Sequence, residues 1–318
     1  MKQVIKPEPL AEAWVAEALY NKAIRYAEKM SASASESWDH ALWSGLCLEL
    51  LARAALANIA PVLLAESNGH NNLLSALGFP AMEAKFSPKS VTTAVVLRRL
   101  RHLIPDFDTE LEAFCVTHVG RRNAELHSGE LPYDGVHGSR WHGQYFRSCR
   151  VLLASMGYEL ADLIGKDAAA IADKEIEAAA DEAAKAVLVD IETFAGKWAE
   201  LGDAERTSRT SHANVWAVRS AGHCVTCPAC GNPALVNGEP IGAAQQTLQD
   251  DVITERQEHL PHWFECVACG LKITGLSRLQ VVNLGDRYTS TQTYEAAEYY
   301  RPEDDQYADY EDDNNEPF

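Results

Sequence analysis

The chain has 318 residues, of which 46 are acidic, 28 are basic and 47% are apolar, so it carries a formal net charge of −18 and can bury a core of about two domains. The segment Met1–Pro9 lacks the apolar stretch of a secretory leader, and the longest uncharged apolar run near the N-terminus, Ala54–Ala65, is shorter than the roughly 20 residues of a membrane span. These features argue against the secreted and membrane classes and predict a cytoplasmic protein, in which paired cysteines indicate a metal site rather than disulfides.

The N-terminal two thirds of the chain is predicted to be helical. Apolar residues recur there at helical spacing, and proline or glycine marks the ends of the segments. The segment Trp38–Glu66 is apolar nearly all round, which is typical of a central bundle helix, and a break is expected before Pro61. The predicted helices are Leu10–Met30, Trp38–Glu66, Val91–Ile104, Thr109–Leu126, Trp141–Gly165 and Lys166–Leu201.

The chain is therefore predicted to be mainly α, with four parts. Residues 1–165 form a helical bundle, and the alanine-rich residues 166–210 either complete that bundle or form a connecting stalk. Residues 211–285 contain glycines, prolines, short β-prone runs and five of the eight cysteines, and they are expected to form a small β-rich domain. Residues 286–318 hold eleven acidic and two basic residues, a composition typical of a disordered acidic tail.

Two cysteine pairs in the second domain have the spacing of a metal site. Cys227 and Cys230 enclose Pro-Ala, Cys266 and Cys269 enclose Val-Ala, and a glycine follows each pair. Two such knuckles let four thiolates point into one tetrahedron, which suits structural Zn²⁺. The pattern resembles a zinc ribbon, and a site closed by four thiolates leaves no coordination position for a substrate.

Residues near the two pairs leave other ligand sets open. Cys224 lies three positions before Cys227, so these two cysteines form an alternative pair. The pair of Cys227 and Cys230 is preferred because a glycine follows it directly, as a glycine also follows the second pair. Three histidines are near enough in sequence to replace a cysteine ligand: His223, His259 and His262.

The segment from Gly120 to Gly129 concentrates reactive side chains. It contains Arg121, Arg122, Asn123, Glu125 and His127 within seven positions. Arginine recognises phosphate oxygens in a bidentate manner, and histidine can move a proton near neutral pH. Together these groups suffice for RNA cleavage by the neighbouring 2′-hydroxyl, a reaction that requires a base, an acid and charge stabilisation but no metal.

The net charge of the whole chain does not argue against RNA at this segment. Residues 85–150 hold ten basic and seven acidic side chains, so the negative charge lies elsewhere in the chain. Charge distribution rather than total charge determines where a polyanion can bind.

The string Arg122-Asn123-x-x-x-His127, at the end of a helix in an all-α bundle, resembles the signature of HEPN-domain ribonucleases. The helix that carries Glu49 and Arg53 also resembles the central helix of that family, and the likeness covers roughly residues 10–165. The resemblance implies a homodimer whose two motifs meet in one cleft and cut RNA without metal. Many relatives act as toxins or in defence against phage, where an antitoxin or sensor is a further partner.

The resemblance also implies a role for each motif residue. Arg122 would hold the scissile phosphate, His127 would be the acid or base, and Asn123 would orient the phosphate or His127. Arg121 and Glu125 lie within the motif as supporting residues.

Three other interpretations of these residues stay open. Some relatives are inactive, so the chain is alternatively a dimeric adaptor whose zinc ribbon binds protein or nucleic acid. Arg122 and His127 also suit the C-terminal end of any helix, because cations interact favourably with its dipole. Glu49 and Arg53 have the spacing of an ordinary ion pair on one helix face.

Overall fold

The computed structural model describes residues 6–67, 69–82 and 85–300. Within these residues the protein is mainly α-helical, with one small antiparallel sheet near the C-terminal end, as the sequence predicts. The first seven helices are α1 Ala16–Ala32, α2 Trp38–Ile59, α3 His70–Ala76, α4 Thr93–Leu103, α5 Thr109–His127, α6 His142–Ala154 and α7 Leu160–Ile164. The remaining elements are α8 Lys166–Ala199, α9 Asp203–Arg219, β1 His223–Thr226, β2 Pro233–Gln249, β3 Val252–Glu265, β4 Lys272–Thr274, α10 Leu276–Val281, β5 Tyr288–Glu295 and α11 Ala296–Tyr299.

Helix α2 is the central helix of the bundle. It packs against α1, α4, α5 and α6, and it ends at Ile59, where the expected break before Pro61 occurs. By length and composition α2 is apolar enough to cross a membrane, contrary to the expectation that no segment is long enough. Since 61% of its most apolar window is buried inside the protein, its apolar surface is accounted for by the core.

The bounds of the first and the fifth predicted helix are wrong. The helix expected from Leu10 begins at Ala16, after a short 3-10 turn that buries Trp14. The helix expected over Trp141–Gly165 is divided into α6 and α7, since Gly157 adopts a positive φ of 81° just after α6. A left-handed residue of this kind ends a helix, and glycine adopts it without steric cost.

Helix α8 belongs to two hydrophobic cores, so residues 166–210 are not a separate connector. Its first turns bury Ala169 and Ala172 in the bundle core. Farther along, Val187 is buried among the apolar residues of the sheet, and Phe194 packs against the same cluster. Helix α8 therefore packs in the bundle core at one end and in the core of the sheet at the other.

The small domain begins later than Ser211. Helix α9 runs through that position to Arg219, and its Ala213 is fully buried in the core of the sheet. The first strand starts at His223. The sheet and its cysteine pairs are therefore packed against α8 and α9 rather than standing free.

The sheet has the order β1-β2-β3-β4, and β5 also pairs with β3. All four strand pairs are antiparallel, and β2 and β3 form a long hairpin that turns at Asp250 and Asp251. Strand β4 pairs with the end of β3 next to the cysteines, whereas β5 pairs with the Val252–His259 part of β3. The cysteine pairs lie at one end of this sheet, and the hairpin extends away from them.

The expectation of a disordered tail from Asp286 is wrong for its first part. Residues Tyr288–Glu295 form strand β5, in register with Val252–His259 of β3, and α11 follows at once. The local composition of this segment is polar, and the ladder of β3 provides its hydrogen-bond partners. The rest of the expected tail, residues 301–318, lies outside the described residues.

Removing β5 is expected to destabilise the sheet. A chain that ends at Leu284 loses eight cross-strand residue pairs with β3, whereas a chain that ends at Tyr300 keeps them. Such pairs contribute a few tenths of a kcal/mol each, so we expect the shorter chain to lose roughly 2–4 kcal/mol in free energy of unfolding. Urea unfolding of the two chains measures this difference, and equal midpoints and slopes would contradict the role of β5. Light scattering should also show association of the shorter chain through the uncovered edge of β3.

Candidate functional site

The four predicted cysteine ligands come together in one cluster. The Sγ atoms of Cys227 and Cys269 are 3.7 Å apart, and those of Cys230 and Cys266 are 3.6 Å apart. All four sulfurs lie within 4.8 Å of one another. Sulfurs bound at about 2.3 Å to one tetrahedral ion would lie about 3.8 Å apart, so the cluster has the size needed to hold a metal ion such as zinc.

Both knuckles have the same local geometry. The amide of Gly231 donates to the carbonyl of Cys227 at 3.0 Å, and the amide of Gly270 donates to that of Cys266 at 2.8 Å. These glycines have φ values of 72° and 85°, a region that other residues rarely adopt. The glycine after each cysteine pair is therefore required by the turn that aims two sulfurs at one point.

Helix α9 holds both knuckles. The hydroxyl of Thr210 donates to the Oδ1 atom of Asn232 at 2.8 Å, and the amide group of Asn232 donates to the Cys230 sulfur at 3.3 Å. On the second knuckle, Arg209 donates to the carbonyl of Ala268 at 3.5 Å. The Asn232 contact orients the Cys230 sulfur from outside the cluster, as second-sphere groups do in metal sites, and the Arg209 contact holds the backbone of the second knuckle.

The other residues considered for this site lie outside the cluster. Cys224 is exposed on β1 opposite Leu235, and the four-cysteine cluster does not include it. His223 and His259 stack on Tyr288, with ring centroids at 4.7 and 5.1 Å. The preference for Cys227 with Cys230 thus agrees with the geometry.

Arg122 lies at the contact between α5 and α2. Its side chain is buried with 9% exposure, and its guanidinium forms an ion pair with Glu49 of α2. The Cβ of Arg122 would lie 3.0 Å from a Cβ added at Gly45, so the glycine allows this close approach of the two helices. The Nε atom of Arg122 has no hydrogen-bond partner among the described residues.

Glu49 joins both arginines of the predicted site. Its Oε1 atom accepts from Arg53 at 3.1 Å and from the hydroxyl of Thr93 at 2.8 Å. Arg53 also donates to the carbonyl of Val91 at 3.2 Å, which ties the start of α4 to α2. Two guanidinium groups and one carboxylate leave this cluster with a net positive charge. A pocket of about 380 Å³ is lined by Glu49, Arg53, Thr92, Thr93, Ala94, Leu97, Val116, Val119, Gly120, Arg122 and Asn123.

His127 and Arg122 do not share a face of α5. The helix continues through His127 and ends at Ser128, so two residues five positions apart differ by about 140° in direction. His127 is exposed, as is Asn123. Within one chain the arrangement therefore places Arg122 and Asn123 at the pocket and leaves His127 outside its lining.

The two supporting residues of the motif point to different surroundings. Arg121 lines a second pocket, beside Trp141 and Arg140, on another face of α5. Glu125 is close enough to Tyr133 to contribute to the raised pKa of that phenol, after the larger effect of burial. Neither residue lines the pocket of Arg122.

Sequence analysis missed a buried histidine network. The Nδ1 atom of His40 donates to the carbonyl of Met30 at 2.9 Å, and its Nε2 atom lies 3.1 Å from Nε2 of His142. His142 in turn lies 3.2 Å from the carboxylate of Glu175 on α8. The residues are up to 135 positions apart in sequence, so no local spacing indicates the network.

A third histidine, His118, is fully enclosed beside this network. Its Nε2 atom lies 2.7 Å from the hydroxyl of Ser44, and its ring stacks on Phe114 and contacts Trp141. Burial, together with the charge of Arg121, lowers the pKa of His118 to about 3. The imidazole is therefore neutral in the folded protein.

Acid is expected to destabilise the protein through His118. The unfolded chain binds a proton at this residue below about pH 6.5, whereas the folded protein does so only near pH 3. The free energy of unfolding should therefore fall by up to about 1.4 kcal/mol per pH unit across this range. The variant His118→Phe, which keeps the stacking, should show a shallower fall in urea titrations at pH 7, 6, 5 and 4. Parallel curves for the variant, the wild type and the exposed-site control His70→Ala would contradict this assignment.

No family model matches this sequence, and comparisons with curated proteins and with solved structures gave no significant match. The functional conclusion therefore depends on the chemistry of the residues described above.

Proposed function

We propose that the protein is a metal-independent RNA endonuclease of the HEPN type. The observation that carries this proposal is the pocket of Arg122, a buried guanidinium whose Nε lacks an acceptor among the described residues. The net positive charge of the cluster around Glu49 favours an anion in the pocket that Arg53 and Arg122 line. Asn123 lines the same pocket and is exposed, so an RNA strand in the pocket can reach it.

The catalytic unit in this proposal is a homodimer. Arg122 and His127 face different directions on α5 of one chain. In the dimer, Arg122 of one copy therefore acts together with His127 of the other copy. An exposed stripe with helical spacing runs along α5, and it would let two copies of the helix approach each other. The stripe consists of Val116, Gly120, Asn123 and His127. The apolar surface of α2 does not support dimerisation, because the bundle itself buries that surface.

The proposed reaction is transfer of the phosphodiester to the neighbouring 2′-hydroxyl. His127 of one copy accepts the proton of the 2′-hydroxyl as its oxygen bonds to phosphorus. The bond from phosphorus to the 5′-oxygen breaks, and that oxygen receives a proton from the second His127. Arg122 stabilises the charge on the phosphoryl oxygens, and Asn123 orients the phosphate. Glu49 and Arg53 position Arg122 in this scheme, and no metal takes part.

We further propose that the four cysteines hold one structural Zn²⁺ in a zinc-ribbon module. The tetrahedral size of the cluster and the second-sphere contact from Asn232 support it. Because four thiolates complete the coordination of the ion, its role would be to stabilise the sheet against α8 and α9. The wider proposal is a cytoplasmic toxin or antiphage effector, controlled by an antitoxin or sensor protein and independent of membranes.

The alternative is a non-catalytic adaptor that dimerises through the bundle and binds protein or nucleic acid through the zinc module. One observation favours it, namely that the charge of Arg122 is already paired with Glu49. Under this alternative the ion pair stabilises the contact between α5 and α2, and the motif residues have no role beyond forming the C-terminal end of α5.

The test is incubation of the purified protein with total RNA in EDTA, followed by sequencing of the new ends. We expect 2′,3′-cyclic phosphate and 5′-hydroxyl ends, since the 2′-hydroxyl is the nucleophile. Zinc content is measured after the same treatment, so that loss of activity through unfolding is recognised. Intact RNA in the presence of zinc-loaded dimer would favour the adaptor, whereas 5′-phosphate ends would exclude the proposed chemistry.

A further inference from the structure

A second pocket, of about 410 Å³, lies on a different face of α5 from the pocket of Arg122. Its size is within the range of sites for small organic ligands. The side chains that give the pocket its chemical character are Phe114, His118, Arg121, Arg140 and Trp141. The lining contains two arginines and no carboxylate.

The two arginines give the pocket an uncompensated positive charge. Neither Arg121 nor Arg140 forms a salt bridge with an acidic residue in the part of the chain that the structure describes. Arg121 also opposes protonation of His118 in the pocket wall. Two guanidinium groups without an acidic partner favour a phosphate or carboxylate between them.

The rest of the lining is aromatic. Phe114 and His118 stack with ring centroids 5.4 Å apart at 19°, and His118 lies 4.8 Å from the Trp141 ring. Planar faces of this kind prefer another aromatic ring to an aliphatic one.

One polar atom of the wall lacks a partner. The hydroxyl of Ser44 donates to the carbonyl of Ala41 at 2.7 Å, so its oxygen accepts from Nε2 of His118. The Nδ1 atom of this neutral ring is then an acceptor, and no described residue donates to it. His118 is 1% exposed, so its ring forms part of the pocket wall and the two arginines are the charged groups of the lining.

The segment that presents Arg140 is already ordered by contacts to the bundle. The carboxylate of Glu36 accepts from the amide of Gly138 at 3.2 Å and from Nδ1 of His137 at 3.0 Å. A Cβ at Gly138 would lie 2.7 Å from the His142 ring, so the 3-10 turn of residues 138–140 fits closely against α6. The pocket is therefore largely preformed.

We infer that this pocket binds a small organic anion in which a planar aromatic ring carries a phosphate or a carboxylate. The anionic group lies between Arg121 and Arg140, and the ring lies against Phe114 and Trp141. This inference does not depend on RNA cleavage, since the pocket and the proposed phosphate site occupy different faces of α5.

Calorimetric titration of the full chain tests the inference. The probes are phenyl phosphate and benzoate, with cyclohexyl phosphate and inorganic phosphate as the matched non-aromatic anions. We expect at least one aromatic probe to bind about tenfold more tightly than inorganic phosphate, and phenyl phosphate to bind more tightly than cyclohexyl phosphate. A preference for phenyl phosphate or for benzoate identifies the anionic group.

Variants distinguish binding in this pocket from general binding of anions to the protein surface. Arg121→Gln and Arg140→Gln should each weaken the preferred probe about tenfold or more, because each removes a charged hydrogen-bond donor. Arg219→Gln removes an exposed arginine on α9 and should leave binding unchanged. Circular dichroism confirms that each variant is folded. Equal affinity for inorganic phosphate and both aromatic probes, or unchanged binding in both pocket variants, would overturn the inference.

Discussion

Replacing Cys230 with serine is expected to release the metal and to unfold the sheet. The wild-type chain should contain one zinc per protomer, and binding of a structural zinc contributes about 10–16 kcal/mol in small zinc modules. The two knuckles provide the turns at this end of the sheet, so loss of the ion frees both. Elemental analysis and hydrogen exchange over residues 220–280 measure the two effects.

Three comparisons make this prediction specific. Cys224→Ser should retain zinc, because Cys224 is exposed outside the cluster. Asn232→Ala should retain the fold but lose about 10–100-fold in zinc affinity, since it removes the amide that donates to the Cys230 sulfur. Absence of metal from freshly purified wild-type protein would refute the zinc centre. The bundle core lies at the N-terminal end of α8, so its amides should stay protected from hydrogen exchange in Cys230→Ser.

Substitution of His127 or Arg122 by alanine is expected to lower RNA cleavage by about 10²–10⁴-fold. His127→Ala removes the proposed acid and base from an exposed position, so the fold should be unaffected. Arg122→Ala removes the guanidinium that donates hydrogen bonds to the phosphate, while Glu49 keeps its contacts with Arg53 and Thr93. The rate of cleavage of a labelled RNA, with His70→Ala as an exposed-histidine control, measures both losses. Wild-type rates in both variants would refute the enzyme proposal.

Mixing the two inactive variants tests whether the site is shared between copies. A mixed dimer of His127→Ala with Arg122→Ala carries one intact Arg122 opposite one intact His127. If the two residues act across the dimer, mixing and exchange of subunits should restore part of the activity, since one Arg122 and one His127 then face each other and, of the proton-transfer groups, only the second His127 is missing. If they act within one chain, the mixture stays inactive, because no chain carries both. Light scattering at the assay concentration establishes whether a dimer forms.

The sequence by itself determined the features that depend on local spacing. Helix α5 ends at His127, one residue after the predicted end at Leu126, since the glycine and proline that follow do not extend a helix. Each cysteine knuckle also follows from spacing, because it is a turn closed within a few residues, whereas the pairing of β2 with β3 brings the two knuckles together. In both cases the stabilising contacts join residues that are close in the chain.

Only the tertiary structure decided which surfaces meet. The ion pair of Glu49 with Arg122 joins residues on two helices, and nothing in the spacing of either helix indicates its partner. Strand β5 was predicted as part of a tail because its own residues are polar, and it forms because the edge of β3 offers it a ladder. Helix α8 reads as one uniform alanine-rich segment, yet its two ends lie in different cores. Sequence periodicity indicates which secondary structure a segment forms. The pairing of distant segments depends instead on the surfaces that the formed helices and strands present to one another.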